Sequence, residues 1–225
     1  MILITGASKG IGNDICLRLI QNGHKVVGLS RDVSNLNFES YSCDVSSYSE
    51  LNAVAKKIKQ KHKSLSALIN VAGIASMNLA LLTPPKITKD LIQTNLIGTI
   101  FCSQLFAPLI IKNNGGSIIN FSTIAVPIGI KGESVYVASK AGVEGFSKSF
   151  AREMADFNIT VNCISPGPLK TNLTKNVNPN LIKNLISKQI ISKQLETKHI
   201  SDLVEIILDK KFNTVTGQVI TPGGI

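Results

Sequence analysis

The chain has few residues of the types that usually hold structural metals. It contains four cysteines and three histidines in 225 residues. No two of the cysteines are close in sequence and no Cys-x-x-Cys pair occurs; they are Cys16, Cys43, Cys102 and Cys163. Zinc sites typically draw their ligands from such closely spaced pairs. We therefore expect no metal site, and we expect the four thiols to be reduced and mostly buried.

Acidic and aromatic residues are also scarce. Asp and Glu number 14 against 24 Lys and Arg, which gives a net charge of +10, and aromatic side chains make up only 5% of the chain. Such a charge suits nucleic acid, an acidic protein or a phosphorylated ligand. The densest lysine cluster lies in one helix-like segment and is not interleaved with aromatic residues: Lys56, Lys57, Lys59, Lys61 and Lys63. This distribution favours a solvated helix face, so we expect no nucleic-acid partner.

Long apolar runs are absent as well. No uninterrupted run reaches the roughly 18 residues that a membrane-spanning helix needs. The first four residues continue directly into Thr5-Gly6, without the basic leader or cleavage site of a signal peptide. The sequence therefore predicts a soluble cytoplasmic protein without a membrane partner.

Short apolar segments alternate with amphipathic ones along the chain. Strand-like segments lie at 1–4, 25–29, 67–70, 117–121, 159–164 and 218–221, with a weaker one at 40–43. Helical patterns lie at 11–22, 49–62, 88–111, 134–156, 180–194 and 201–209. Strands separated by helices pair in parallel through right-handed crossovers, and uniformly apolar strands indicate a sheet covered on both faces. The sequence predicts one α/β domain over 1–225, with a mostly parallel seven-stranded sheet and helices on both faces.

A polar stretch late in the chain has the composition of a loop. Residues 172–179 are rich in Asn, Thr and Lys. The segment that follows places Ile182, Ile186 and Ile190 at helical spacing, which predicts an amphipathic helix. We expect residues 169–195 to form a substrate loop and a lid helix.

The first predicted strand ends in a glycine-rich turn. This turn reads Thr5-Gly6-Ala7-Ser8-Lys9-Gly10-Ile11-Gly12, and a predicted helix follows it. Glycines let the backbone bend tightly and approach a pyrophosphate, while the helix N-terminus supplies free N–H groups. A purely structural turn is the alternative. The strand, turn and helix in this order favour a dinucleotide site in a doubly wound Rossmann fold.

The end of the second predicted strand bears on the choice of cofactor. Binders of NAD often carry an acidic residue there, which would repel the 2′-phosphate of NADP. Here Ser30 is neutral and Arg31 follows it, with Lys9 nearby in the glycine turn and Asp32 expected to turn outward. Arg31 as an ordinary surface residue is the alternative. The charge pattern favours NADP(H) over NAD(H).

Tyr136 and Lys140 stand four residues apart on a predicted helix, so their side chains share one face. An isolated tyrosine has a pKa near 10. A nearby ammonium group stabilises the phenolate and would lower that pKa, which makes the tyrosine a usable acid and base. The pair alone is common by chance and gains meaning only from its companions.

With these companions, the sequence resembles the short-chain dehydrogenase/reductase family over nearly its whole length. The matching elements are the glycine turn (TGxxxGxG), Asp44-Val45, Asn70-Val71-Ala72-Gly73 (NNAG, with Val71 in place of the second Asn), Asn95, Tyr136-Val137-Ala138-Ser139-Lys140, and Pro166-Gly167 with Thr171. The resemblance and the charge pattern together imply a cofactor site formed by Gly6, Ser8, Lys9, Gly10, Ile11, Gly12, Arg31, Asp44, Val45, Asn70, Ala72, Gly73, Tyr136, Lys140, Pro166, Gly167, Leu169 and Thr171.

The resemblance also implies the catalytic roles. Tyr136 would donate a proton to the carbonyl oxygen, Lys140 would lower the Tyr136 pKa and hold the nicotinamide ribose, and Asn95 would fix a proton-relaying water. The family usually has a Ser thirteen residues before the Tyr, and here that position is Thr123. Its hydroxyl keeps the hydrogen bond to substrate, although the extra methyl crowds the pocket. Ser122 should point to the opposite side of the strand.

The substrate stays open between several carbonyl compounds. The sequence looks like bacterial 3-oxoacyl carrier-protein reductases, and a basic protein suits an acidic carrier. However, those reductases carry an Arg where this chain reads Asp156-Phe157-Asn158, and the chain ends at Gly223-Gly224-Ile225 without the usual tail. A small ketone, a sugar-derived carbonyl or a biosynthetic intermediate is the other interpretation, and an NADP sensor with little catalysis is the other class of function. The resemblance further implies a homotetramer or homodimer through the helices that carry Asn95 and Tyr136, and the stripe Leu96, Ile100 and Ser103 fits either that interface or the core.

Overall fold

The computed structural model describes residues 1–170 and 179–225. Thr171 and most of the predicted loop at 172–179 lie outside the described residues.

Seven strands form one sheet, and every pair of neighbouring strands is parallel. The strands are β1 (Ile2–Thr5), β2 (Val26–Ser30), β3 (Ser40–Ser42), β4 (Ala67–Asn70), β5 (Gly116–Phe121), β6 (Ile159–Ile164) and β7 (Val219–Ile220). Their order is β3-β2-β1-β4-β5-β6-β7, so the chain reverses its direction of travel across the sheet between β1 and β4. The predicted doubly wound, parallel, seven-stranded Rossmann fold is confirmed.

Eight helices cover the sheet in the described part of the chain. They are α1 (Gly10–Gln21), α2 (Tyr48–Lys61), α3 (Pro85–Ile92), α4 (Gly98–Ile111), α5 (Ala125–Ile128), α6 (Ser134–Met154), α7 (Pro179–Ser187) and α8 (Thr197–Leu208). One apolar core lies between the sheet and α2, α4 and α6, and a second lies between the sheet and α1 and α8. Along β1, Leu3 faces the first core while Ile2 and Ile4 face the second. Because both faces are buried, the strand is apolar at all three of these positions.

The predicted helix at 88–111 is interrupted in the structure. α3 begins earlier, at Pro85, and a π-helical turn over Gln93–Ile97 separates α3 from α4. The whole stretch Pro85–Ile111 has a mean hydropathy of 1.6 in its most apolar window and is long and apolar enough to cross a membrane by length and composition alone. Half of that window is buried inside the protein, and Phe106 and Ile110 pack in the first core. This packing is that of a core helix.

The predicted lid helix is shorter than expected. α7 ends at Ser187 instead of 194, because the following residues turn inward onto the end of the chain. Gln189 is buried, and the backbone N–H of Ile191 donates to the carbonyl oxygen of Gly223 over 2.8 Å.

All four cysteines are free and buried, as predicted.

Candidate active site

A cavity of about 470 Å³ opens at the carboxyl ends of the strands, where the strand order reverses. Open α/β sheets bind their ligands at this place. The cavity is lined by most of the residues that the sequence predicted for cofactor and catalysis: Gly6, Ser8, Lys9, Gly10, Ile11, Arg31, Asp44, Val45, Ala72, Gly73, Thr123, Tyr136, Lys140, Pro166, Gly167 and Leu169. Gly12, Asn70 and Asn95 lie behind this lining, and Thr171 lies outside the described residues.

The glycine turn has the backbone that its sequence predicts. Gly6 and Gly10 adopt positive φ angles of +70° and +57°, a conformation that favours glycine. A Cβ on Gly12 would collide with the carbonyl oxygen of Gly6, so the first turn of α1 packs tightly against the loop. Lys9 precedes α1 without a side-chain cap on the helix. The first N–H groups of α1 therefore face the cavity side of the turn without a capping side chain and suit an anionic group.

Asn70 joins the sheet to α4 and does not face the cavity. Its side-chain N–H₂ donates to Asn120 Oδ1 over 2.8 Å and to Ser103 Oγ over 3.3 Å, and the residue is 3% exposed. Asn120 in turn donates to Ser147 of α6 over 2.8 Å. The structure thus gives Asn70 a contact that fixes β4 against β5.

A smaller cavity of about 220 Å³ adjoins the first one at the ends of β1 and β2. It is lined by Ser8, Lys9, Ser30, Arg31, Asp32, Asn35 and Leu36. The Ser8 and Ser30 hydroxyls share a hydrogen bond of 2.7 Å. Asp32 was expected to turn outward. It is exposed and its carboxylate accepts from the N–H and hydroxyl of Ser34 over 3.0 and 2.7 Å, yet it also borders this cavity.

Asp44 and Val45 lie at the opposite wall of the large cavity. The Asp44 carboxylate accepts from the Ser46 N–H over 2.9 Å and from the Ser46 hydroxyl over 2.7 Å. Val45 is buried against Gly98 of α4, where any side chain would collide with it. These contacts give the loop after β3 a fixed conformation beside the cavity.

Lys140 is buried at the floor of the cavity, and its ammonium group donates to the carbonyl oxygen of Phe121 in β5 over 2.8 Å. Burial lowers the pKa of Lys140 to about 8. Gly73 lies so close that an added Cβ would come within 3.4 Å of Lys140 Nζ and 3.2 Å of Asn95 Oδ1. The absence of a side chain at Gly73 therefore lets these two groups approach the loop after β4.

Tyr136 lies one helical turn before Lys140 on α6. Burial and the neighbouring Glu133 carboxylate raise the pKa of Tyr136 to about 12, while a hydrogen bond with the Thr123 hydroxyl acts in the opposite direction. The sequence argument predicted a lowered pKa. The difference arises because the Lys140 ammonium is directed at the β5 backbone, so burial and Glu133 determine the direction of the shift.

Asn95 lies in the π-helical turn and is completely buried. Its side-chain oxygen accepts from the Ile74 N–H over 2.8 Å, and its side-chain N–H₂ donates to the Ile74 carbonyl over 2.9 Å and to Ser139 Oγ over 3.0 Å. The Asn95 carbonyl oxygen accepts from the Thr99 hydroxyl over 2.8 Å. Asn95 thus joins the loop after β4 to α6, the helix that carries Tyr136. π-Helical turns are often found at functional sites.

Thr123 and Ser122 both border the cavity, although their hydroxyls have different partners. Ser122 is buried and its hydroxyl donates to the Glu144 carboxylate over 2.6 Å. Thr123 lines the cavity and lies next to Tyr136. The hydroxyl nearest the phenol is therefore that of Thr123.

The sequence reasoning missed Glu133 and the apolar wall of the cavity. Glu133 directly precedes α6 and lines the cavity, and burial raises its pKa. The wall consists of Ile74, Met77, Ile130, Ile182 and Leu185. An acid one helical turn before Tyr136 was the available signal for Glu133, but the same pattern is typical of ordinary helix N-termini.

Comparison with known proteins agrees with this geometry. A sequence model described as "short chain dehydrogenase" matches residues 1–182. Over 231 residues, the chain is 34% identical to 3-oxoacyl-[acyl-carrier-protein] reductase FabG of Buchnera aphidicola subsp. Schizaphis graminum, covering 99% of this chain and 95% of that protein. It is 32% identical over 229 residues to carbonyl reductase family member 4 of Xenopus laevis, covering 98% of this chain and 95% of that protein.

Two solved structures have the same fold. Ligand-free aldohexose dehydrogenase of Thermoplasma acidophilum superposes with a TM-score of 0.90 at 28% identity, covering 99% of this chain and 92% of that one. ElxO with NADP bound superposes with a TM-score of 0.89 at 28% identity, covering 98% of this chain and 95% of that one. On this sequence and structural evidence, the chain belongs to the short-chain dehydrogenase/reductase family of oxidoreductases.

Proposed function

We propose that the chain transfers a hydride between NADP(H) and a carbonyl or secondary alcohol carbon, with Tyr136 as the proton donor and acceptor. The observation that carries the proposal is that Tyr136, Thr123 and Lys140 line the same cavity as the glycine turn. A proton-handling group and a dinucleotide cradle in one cavity are what carbonyl reduction requires.

The residues around the cavity fit a dinucleotide. The uncapped N-terminus of α1 and the positive-φ glycines suit a pyrophosphate, and Pro166-Gly167 lines the same cavity. The nicotinamide, when bound, supplies or accepts the hydride. The protein's own contribution is to orient the cofactor and substrate and to polarise the carbonyl oxygen.

Charge at the smaller cavity supports NADP(H) over NAD(H). Arg31 and Lys9 line it together with the Ser8 and Ser30 hydroxyls, and these groups suit a 2′-phosphate. Asp32 borders the same cavity, but its carboxylate is engaged by Ser34. The solved structure of ElxO with NADP bound is a further argument for this cofactor.

In the proposed mechanism, Tyr136 gives its phenolic proton to the carbonyl oxygen during reduction. Thr123 forms a second hydrogen bond to the same oxygen. Lys140 would hold the nicotinamide ribose, and its pKa of about 8 suits proton exchange near neutral pH. Asn95 holds the loop after β4 against α6. We place the proton-relaying water beside Asn95.

The experiment that tests the proposal is NADPH oxidation by the purified protein against a panel of carbonyl compounds. The panel contains simple ketones, hydroxy ketones and 3-oxoacyl thioesters on coenzyme A and on acyl carrier protein, with aldoses and NADP⁺ in the reverse direction. Turnover of any of these compounds supports the proposal. Tight NADPH binding without turnover of any of them contradicts it and identifies a cofactor sensor.

Some observations favour a substrate bound to acyl carrier protein, and one is against it. Reductases of carrier-bound 3-oxoacyl groups are among the relatives at 31 to 34% identity, and a net charge of +10 suits an acidic carrier. The segment Asp156-Phe157-Asn158 carries no cation for such a partner. A preference for the carrier-bound over the coenzyme A-bound thioester would place the protein with those reductases.

We also propose a cytoplasmic homo-oligomer that associates through α4 and α6. Part of the stripe that fits either this interface or the core is internal: Ser103 is fully buried and donates to the Thr99 carbonyl, and Leu96 packs on Gly142 of α6. Light scattering in solution measures the state: a dimer or tetramer is expected, and a monomer contradicts the proposal.

A further inference from the structure

Glu133 is the acidic group of the cavity that lies beside Tyr136. It occupies the N-cap position of α6, three residues before Tyr136, so the two side chains lie on neighbouring turns of one helix face. Residues at this spacing have Cβ atoms about 5–6 Å apart. A substrate whose carbonyl oxygen meets the Tyr136 phenol therefore brings its nearest substituent within reach of the Glu133 carboxylate.

The Glu133 carboxylate has no partner among the described residues. It makes no hydrogen bond to the N-terminus of its own helix, and burial alone accounts for its raised pKa. Other acids of the described chain are engaged: Asp44 accepts from Ser46, Glu144 from Ser122, and Glu39 pairs with Lys61. A partly buried carboxylate without a hydrogen-bond donor is costly, which makes this position favourable for a ligand that brings one.

The surroundings of Glu133 do not supply that donor from the protein. The wall on the substrate side consists of Ile74, Met77, Ile130, Ile182 and Leu185, all without polar side-chain atoms that could donate. The Lys140 ammonium donates to the Phe121 carbonyl, and Lys9 and Arg31 line the distant end near β2. The Glu133 carboxylate is thus an acceptor without a protein donor among the described residues, next to the phenol and close to apolar lining residues.

We propose that Glu133 is a specificity-determining residue, which selects substrates that carry an O–H or N–H donor on the carbon next to the reacting carbonyl. This inference rests on the proposed function. It narrows the substrate class to hydroxylated or amino carbonyl compounds, and it disfavours carbonyl compounds whose substituents are purely apolar.

The test uses pairs of ketones that differ by one group. Hydroxyacetone and butanone have nearly the same shape, and the hydroxyl of one replaces the methyl of the other; aminoacetone carries an ammonium at the same position. The value of kcat/KM for NADPH-dependent reduction of each ketone is measured in the wild type and in Glu133→Leu. The quantity compared is the hydroxyacetone-to-butanone ratio, because effects of the substitution on Tyr136 or on folding cancel within one variant.

We expect Glu133→Leu to lower this ratio by about 10- to 100-fold, as the loss of a hydrogen bond to a charged acceptor implies. Glu133→Gln keeps an acceptor oxygen and removes the charge. If the hydroxyacetone-to-butanone ratio of Glu133→Gln equals that of the wild type, the site is assigned to hydroxyl donors. If only the aminoacetone-to-butanone ratio falls in Glu133→Gln, the site is assigned to ammonium groups. Glu153→Gln is the matched control, since Glu153 is an exposed acid on the same helix, and its ratios should equal those of the wild type.

Two results would overturn the inference, and they are distinguishable. If the wild type reduces ketones and the ratio in Glu133→Leu equals the wild-type ratio, Glu133 does not select the substrate, while the proposed function stands. If the wild type turns over no compound of the panel, the proposed function fails and this inference fails with it.

Discussion

At the scale of single residues, the surroundings of Tyr136 determine the pKa of its phenol. Its pKa is raised to about 12 by burial and by the Glu133 carboxylate. A protonated phenol is the form that donates to a carbonyl oxygen, so the raised pKa keeps Tyr136 in the form that the proposed reduction requires. The effect of Glu133 on the pKa of Tyr136 is distinct from its proposed contact with substrate, and the two can be measured separately.

Glu133→Gln should shift the alkaline limit of the reductase activity to lower pH. A negative charge near a phenol disfavours the phenolate and raises its pKa, so removing the charge lowers the pKa of Tyr136. Reduction needs the protonated phenol and therefore declines at lower pH in the variant. The measurement is the pH profile of kcat/KM with butanone, and an unchanged or higher alkaline limit would show that Glu133 does not act on Tyr136.

Thr123→Val should reduce kcat about 10- to 1,000-fold, because it removes a hydroxyl that hydrogen-bonds where charge develops on the substrate oxygen. Ser122→Ala should leave turnover near the wild-type value and lower the free energy of unfolding by about 1 kcal/mol, since it removes the bond to Glu144. Steady-state kinetics and denaturant unfolding measure the two effects. Full turnover in Thr123→Val together with inactive Ser122→Ala would reverse the assignment.

Arg31→Ala should reduce the preference for NADPH over NADH by about 10-fold or more, as expected when a charged hydrogen bond to phosphate is lost. The NADH activity should change little, because Arg31 lines the cavity assigned to the 2′-phosphate. The measurement is kcat/KM for each cofactor in both proteins. An equal loss with NADPH and NADH would indicate that Arg31 has another role.

At the scale of elements, the regular parts of the fold and the glycine turn were predictable. β1, β4 and β6 are buried on both faces, so mostly apolar segments mark them, and the turn follows from glycines between a strand and a helix. The π-helical turn Gln93–Ile97 was not predictable, because it changes hydrogen bonding without interrupting the apolar helical pattern. The end of α7 depends on Gly223, which is distant in sequence.

In the candidate site, local motifs identified the residues, but contacts with residues distant in sequence could not be predicted. Tyr136, Lys140 and Thr123 were predicted from the resemblance of their motifs to those of the family. The direction of the Tyr136 pKa shift could not be predicted in this way, because it depends on Lys140 donating to Phe121 in another element. The contacts of Asn70 with Asn120 and Ser103 likewise join three elements, so no single motif contains them.

Gly12→Ala should weaken NADPH binding at least about 10-fold, because its Cβ would collide with the Gly6 carbonyl oxygen and displace the turn from the pyrophosphate. Gly145→Ala is the matched control on α6. No atom lies within 4 Å of its added Cβ, and alanine favours a helix by about 1 kcal/mol over glycine. Fluorescence titration with NADPH measures both variants. Wild-type affinity in Gly12→Ala would contradict the role given to the turn.

At the scale of the whole molecule, the sheet order determines where chemistry can occur. Reversal of the strand order between β1 and β4 opens the crevice that holds the glycine turn, and α6 brings Tyr136 and Lys140 to it from the next part of the chain. The apolar stretch Pro85–Ile111 supplies a core helix and, through its π-helical turn, the Asn95 contacts behind the site. Fold and site thus depend on the same elements.

The most direct test of the central claim compares NADPH oxidation by the wild type and by Tyr136→Phe on the best carbonyl substrate of the panel. The expected result is a fall in kcat/KM of about 100- to 10,000-fold, as loss of a general acid implies, with NADPH affinity and the unfolding midpoint close to those of the wild type. Turnover by Tyr136→Phe at the wild-type rate would contradict the claim that Tyr136 carries the proton in this oxidoreductase.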